Sequence, residues 1–173
     1  MKKSKKNLNL LWSIITIVGA VASFIMLALN WIALKVTFAG STNTTNYNLS
    51  KWFELIKDMN ESTMNVSGRP ACNVAKVFLI ISIVLLALVA ICALLNLFIK
   101  NKYLALATKI VSVVSLIAVV VFLIAMIAGC SGLSDNYRCD DISFVMGAGS
   151  ICCAIFGIAT SALGFVSGLK AKK

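Results

Sequence analysis

Residues 77–99 read VFLIISIVLLALVAICALLNLFI, a stretch with no charge that is made almost entirely of Leu, Ile, Val and Ala. It is long enough to cross a bilayer as a helix, which takes about 20 apolar residues. The period-two alternation of a membrane β-barrel strand is absent, so the stretch sets a helical membrane class. Three more runs meet the same test: Leu10–Leu34, Tyr103–Gly129 with the single charge Lys109, and Ile142–Leu169. The whole chain agrees. Its 173 residues are 60% hydrophobic and 13% charged, with a mean hydropathy of +0.96, beyond what a water-soluble domain carries.

The sequence therefore predicts an all-α membrane protein, a four-transmembrane-helix bundle in one membrane domain. The expected segments are a first span over 10–34, an outer loop over 35–76, a second span over 77–99 and an inner turn over 100–102. A third span over 103–129, a second outer loop over 130–141, a fourth span over 142–169 and a tail over 170–173 follow. Ala20-Val-Ala-Ser23 resembles a signal-peptidase site, but the run continues apolar through Phe24, Ile25, Met26, Leu27 and Leu29, as an uncleaved span does and a signal peptide does not.

Charge sets the expected orientation. With the amino terminus cytoplasmic, the inside holds ten basic residues (Lys2, Lys3, Lys5, Lys6, Lys100, Lys102, Lys109, Lys170, Lys172, Lys173) and no acid. The outside holds six basic and six acidic residues, so the formal +10 lies wholly inside. That satisfies the positive-inside rule for a cell-membrane protein with both termini cytoplasmic. The lysines read as a topology signal that also favours anionic lipid, not as a nucleic-acid site, because no aromatic or Arg-rich element accompanies them. Lys109 is expected to snorkel to the inner interface.

The one sizeable polar region, Lys35–Cys72, is where recognition is expected. Leu34, Val36 and Phe38 alternate with Lys35 and Thr37, which suggests a short strand leaving the membrane. Gly40–Ser50 reads as turn or loose loop. Ser50 is placed to cap a helix over 51–60, whose Trp52, Leu55, Ile56 and Met59 share one face. Together these form a small extracellular cap. The apolar face of that helix could lie on the outer leaflet, bind a partner or cover its own bundle, and covering the bundle is the simplest. The partner-binding candidates are Trp52, Leu55, Ile56, Met59, Val36 and Phe38. Trp31, at the end of the first span, is expected in the interfacial aromatic belt. Four sequons, at Asn43, Asn48, Asn60 and Asn65, fall in this loop and nowhere else and are formal glycosylation acceptors.

Six cysteines divide by depth. Cys92, Cys152 and Cys153 read as small apolar packing residues. Cys72, Cys130 and Cys139 fall on the outer side, where disulfides persist. Proximity favours Cys130 with Cys139, while Cys72 with either would join the two outer loops. No metal site is expected, since the chain has no His and no CxxC pair.

Small residues mark helix contacts. Ser13, Thr16, Ala20 and Ser23 share a face of the first span, and Ala105, Thr108, Ser112 and Ser115 a face of the third. In the fourth span Gly147, Ser150, Ala154, Gly157, Ser161, Gly164 and Gly168 recur at alternating intervals of three and four. This seam could pack on the first span within one chain or drive a homo-oligomer. Neither a carboxylate nor a His lies within the spans, and no glycine-rich phosphate cradle or partnered nucleophile is present, so no enzymatic activity, catalytic residue or cofactor is expected. Ser112 and Lys109 form a one-turn pair of a kind common by accident.

The four spans, the inward termini and the long first loop opening after Asn30-Trp-Ile-Ala-Leu-Lys-Val36, with a second loop tryptophan at Trp52, resemble the claudin and peripheral-myelin-type layout. The chain offers only Cys72 where that family has a pair of cysteines in the first loop, and it lacks the Gly-Leu-Trp signature. Carried over, the resemblance would imply a role in barrier formation or cell adhesion, which the missing cysteine pair and signature do not support. The expected function is non-enzymatic, through binding of the outer loop to a protein, lipid or cell-surface component. The alternatives are a small self-assembling channel, holin-like pore or transporter accessory subunit, and a membrane immunity protein. The bilayer is the one partner that composition requires.

Overall fold

The computed structural model describes residues 2–38, 40–63, 66–99, 101–136 and 141–171, with side chains placed for all but residues 2–9, 170 and 171. Its element order is α1 (Lys2–Ile25), a 3-10 turn (Met26–Ala28), β1 (Ile32–Phe38), β2 (Ser41–Tyr47), α2 (Leu49–Glu61), α3 (Arg69–Phe98), α4 (Lys102–Asn136), β3 (Ile142–Met146) and α5 (Ala148–Ala171). Four helices are long and apolar enough to cross a membrane: Leu10–Ala28, Arg69–Phe98, Lys102–Asn136 and Ala148–Leu169. They close into a ring in which α1 lies beside α5, α5 beside α4, α4 beside α3 and α3 beside α1. The exterior of these helices is largely apolar. Val18, Val84, Ile117, Ile124 and Ile155 are among many large apolar side chains left exposed on these helices.

The architecture is not all-α. Three strands form an antiparallel sheet in the order β2-β1-β3, with Ile32 opposite Tyr47 on one side and Met146 on the other. Two expectations are corrected here. The stretch read as loose loop, Gly40–Ser50, contains β2, and the first five residues assigned to the fourth span form β3. In β2 the side chains of residues 41–46 are exposed on both faces, so no apolar alternation marks it as a strand. Gly40, at φ 82°, supplies the left-handed turn before it. In β3, Ile142-Ser-Phe-Val-Met146 is rich in residues that serve a strand and a span equally, and Gly147 separates it from α5.

The spans are also shifted. α1 gives way to the 3-10 turn well before Leu34, while α3 starts at Arg69 and α4 runs on to Asn136. Pro70 sits in the first turn of α3, where its missing N–H costs nothing. At 1.5 Å per residue, α3 and α4 are about 45 and about 52 Å long, against about 30 Å of hydrocarbon. Both are therefore longer than the hydrocarbon of a bilayer is thick, and α4 forms a wall for the cap. The start of α1, the end of α5, the end of α3 and the start of α4 lie at the end of the bundle opposite the sheet, as the connectivity requires.

Candidate functional site: the cap and its seat on the bundle

The cap is held from beneath by aromatic packing. Trp31 and Trp52 are fully buried and stacked, with ring centroids 5.8 Å apart and planes 12° from parallel. Phe122 of α4 meets Trp31 at 5.9 Å, and Phe53 lies 5.3 Å from Trp52. Trp31 is therefore a core residue joining cap to bundle. It is not an interfacial anchor, and its indole N–H donates to the Leu27 carbonyl at 3.2 Å. Ile32, Ile56, Met59, Cys72, Leu79, Met126, Cys130, Leu133 and Phe144 complete the same cluster.

The α2 helix is amphipathic as expected, and its apolar face turns inward. Trp52, Ile56 and Met59 are buried and Leu55 is half-buried. A partner outside cannot reach the first three. Val36 is half-buried in the central strand, whereas Phe38 at the end of β1 is 79% exposed. Among the described residues of the sheet and α2, Phe38 is the one large apolar side chain left open. Around it the accessible surface is polar: β2 carries Ser, Thr and Asn along an unpaired sheet edge, and Thr37 and Thr42 share a hydroxyl hydrogen bond at 3.1 Å. The outer face of α2 is charged. Its Lys57–Glu61 pair at 3.7 Å is mostly exposed and contributes a few tenths of a kcal/mol at most.

The cap of α2 is Asn48, two residues earlier than expected from Ser50: its Oδ1 accepts from the Lys51 N–H at 3.0 Å. Replacing Asn48 with Ala is expected to lower stability by about 1 kcal/mol, whereas Asn48→Asp keeps the cap. Both changes remove the sequon, so thermal melts of the pair separate capping from any glycan. Asn60 exchanges two amide hydrogen bonds with Asn73 at 3.0 and 2.9 Å, which ties α2 to α3. Asn43 is exposed on β2, and Asn65 lies outside the described residues. Further ties run from α4 to the cap: Ser67 N–H donates to Asn136 Oδ1 at 3.1 Å, and Phe144 N–H donates to Ser134 Oγ at 2.9 Å.

The seam of α5 is buried at all seven positions, Gly147, Ser150, Ala154, Gly157, Ser161, Gly164 and Gly168. Its neighbours are not those of α1. A Cβ on Gly157 would press on Val119, one on Gly164 on Ser112 and Val89, and one on Gly168 on Ala105 and Lys109. Ser161 Oγ lies 3.0 Å from Ser115 Oγ. The seam thus packs on the small-residue face of α4, with α3 behind it. At the cap end it meets the chain at Asn30-Trp31 instead. The Gly147 and Gly149 N–H groups donate to the Trp31 and Asn30 carbonyls at 2.8 and 2.7 Å, and Ser150 Oγ donates to Trp31 at 3.0 Å. These bonds satisfy groups at the start of α5 that no helix turn can reach.

The expected face of α1, Ser13, Thr16, Ala20 and Ser23, is buried. It meets a second stripe of α5: Ser13 and Ser167 share a hydrogen bond at 3.1 Å, and a Cβ on Gly19 would fall 2.5 Å from Thr160 Oγ1. Thr160 and Ser112 hydroxyls have no conventional partner among the described residues, and each fills the notch of a glycine on the facing helix. Asn96 donates to Thr108 Oγ1 at 2.7 Å between α3 and α4. The interior hydroxyls are thus used in helix contacts. At the opposite end from the cap, a cleft of about 180 Å³ is lined by Lys102, Tyr103, Ala105, Leu106 and Lys109.

Cys130 lies within α4, not in a loop, and its thiol is free, as are those of Cys72, Cys92, Cys152 and Cys153. The expected Cys130–Cys139 pairing involves a residue outside the described ones. No group of three or more His, Cys, Asp or Glu is placed to hold a metal among the described residues. A scan against protein-family models finds no match for this chain, and a search of curated proteins finds no significant one.

Proposed function

We propose that the chain is a non-enzymatic integral membrane protein of the cell membrane, with both termini cytoplasmic, that acts by presenting the tip of its β1–β2 hairpin to a protein partner outside. The observation that carries this reading is Phe38, 79% exposed at the end of β1 while every other large apolar side chain described in the sheet and α2 is covered at least in part. An exposed aromatic ringed by Thr and Asn has the composition of an interface anchor. The orientation is supported by the ten basic residues without an acid assigned to the end that carries the termini. The absence of acids within the spans, apart from Asp135 in the last turn of α4, supports the non-enzymatic reading.

Photocrosslinkers placed at Phe38 and Thr42 in native membranes are expected to capture the same heterologous protein, and one placed at the lipid-facing Val84 is not. Phe38→Asp is expected to abolish capture from position 42 while changing stability by no more than about 0.5 kcal/mol, as surface substitutions do. Self-crosslinks alone, with ion flux from purified protein in liposomes, would replace this reading with the channel. The channel has less to recommend it, because the small-residue seam that would assemble it is occupied within the chain.

A further inference from the structure

We propose that the cleft at the end of α4 opposite the cap holds the phosphate of an anionic phospholipid in the leaflet on that side. The proposal stands apart from the hairpin reading: it needs α4 to cross a bilayer, but not the cap to face outward. The cleft, about 180 Å³, is lined by Lys102 and Lys109 with Tyr103, Ala105 and Leu106 between them. The two lysines stand two turns apart, about 10 Å along one face of the helix, and Lys109 leans toward Lys102 because helical side chains tilt toward the N-terminus. Lys109 is half-buried, and the last glycine of the α5 seam makes room for it: a Cβ on Gly168 would fall 2.9 Å from Lys109 Cγ. Its stem is therefore lodged where α5 passes α4, which restricts the reach of its ammonium group to the cleft and the surface beside it.

Charge identifies the class of ligand. The acidic residues of the chain all fall within 54–61 and 135–141, and α1, α3 and α5 carry none. The acid nearest to Lys109 on α4 is Asp135, about 39 Å away along the helix and several screening lengths distant. Two ammonium groups thus share a cleft that no side-chain carboxylate reaches. The helix start is not what draws the anion, because Asn101 Oδ1 accepts from the Tyr103 N–H at 2.9 Å and the Asn101 carbonyl from the Ala105 N–H at 3.1 Å. The Tyr103 side chain is 81% exposed and adds a phenol donor at the rim. What lies beyond the cleft favours a lipid over a free anion. Leu106, Ile110, Val113 and Ile117 are exposed and recur at intervals of four and three, an apolar stripe about 16 Å long against about 15 Å for one leaflet. An acyl chain laid on that stripe brings its phosphate to the lysines, as in other basic pockets at the ends of membrane helices. A zwitterionic head group would bring its own cation with it, so the class is anionic.

The test uses full-length protein in a non-ionic detergent, titrated with phosphatidylglycerol or phosphatidylcholine, with bound lipid counted by native mass spectrometry. The first phosphatidylglycerol is expected to bind about 25-fold tighter than phosphatidylcholine, about fivefold for each lysine, and to raise the melting temperature. Lys102→Gln with Lys109→Gln should abolish both effects, while Lys102→Arg with Lys109→Arg keeps them. Lys5→Gln with Lys6→Gln removes the same charge from the same end and should leave the preference within about twofold. An unchanged preference in the Gln pair at 102 and 109, or its loss in the Arg pair, overturns the site. An equal loss in the Lys5 and Lys6 variant overturns it too, since net charge alone would then account for the attraction. Millimolar inorganic phosphate should not displace the lipid, and displacement overturns the lipid assignment in favour of the free anion. Reconstitution into vesicles of phosphatidylcholine alone tests the premise. A wild type that inserts there but shows no preference for phosphatidylglycerol overturns the cleft alone, and one that does not insert overturns the membrane spans with it.

Discussion

Gly147→Val is expected to unfold at a markedly lower temperature in detergent than the wild type, with a loss of about 4 kcal/mol. The seven-residue seam begins at Gly147, just ahead of α5, and here the neighbour is main chain. A Cβ at this position would meet the Asn30 carbonyl oxygen, with Asn30 C at 2.8 Å and Trp31 C at 2.9 Å. A flexible side chain could turn aside, but a carbonyl fixed between the 3-10 turn and β1 cannot. Relief requires α5 to withdraw, and withdrawal lengthens the Gly147, Gly149 and Ser150 hydrogen bonds to Asn30 and Trp31. Leaving such groups buried and unpaired costs about 1–3 kcal/mol each, more than the packing contact alone. Ala148, exposed between the two glycines, is the control: Ala148→Val is expected to change little. Equal melting of the two variants would mean that the start of α5 is not clasped in this way.

The same junction shows what the sequence made legible. Apolar length alone reveals the four spans, since lipid tolerates almost nothing else. It does not reveal their ends. Beyond the hydrocarbon a helix needs no apolar run, so Arg69–Lys76 and Ser131–Asn136 look like loop yet continue α3 and α4. Conversely Ile142–Met146 is apolar enough to be counted as span but pairs with β1. Periodicity identified the buried faces of α1, α4 and α5 from their small residues, because a face is a property of one helix. The neighbour of each face is a property of the bundle: the spacing of the α5 seam allows packing on α1 or on a second copy, and its partner is α4. In the cap, amphipathicity gave the orientation of α2 but not what covers it. Trp31 has the composition of an interfacial anchor and the environment of a core residue, and β2 has no buried face from which a strand could be read. Only Phe38, of the six partner candidates, ends mostly exposed.

Trp52→Ala carries the other large effect, an expected loss of about 3–5 kcal/mol, because it removes the largest side chain that the cap inserts into the bundle. Trp52 has no exposed surface and stacks on Trp31 between Phe53 and the Ile56 and Met59 face of α2. Nothing of similar size stands ready to fill the vacancy, so α2 loses its seat while the spans, held by their own small-residue contacts, remain. The expected signature is therefore local. Proteolysis within α2 should rise steeply, near-UV circular dichroism of the stacked indoles should disappear, and the helical far-UV signal should be largely retained. Trp52→Phe provides a sharper contrast with Trp31→Phe. Trp52 Nε1 is buried with no hydrogen-bond partner among the described residues, whereas Trp31 Nε1 donates to Leu27. Phe at 52 loses area but discards an unpaired N–H; Phe at 31 loses area and also the hydrogen bond to the Leu27 carbonyl. Trp52→Phe is accordingly expected to be the milder by about 1 kcal/mol, and the double mutant should show a coupling of about 1 kcal/mol from the lost stack. Additive single effects would mean that the two indoles touch without supporting each other, and a Trp52→Phe chain as damaged as Trp52→Ala would mean that the indole N–H has a partner after all.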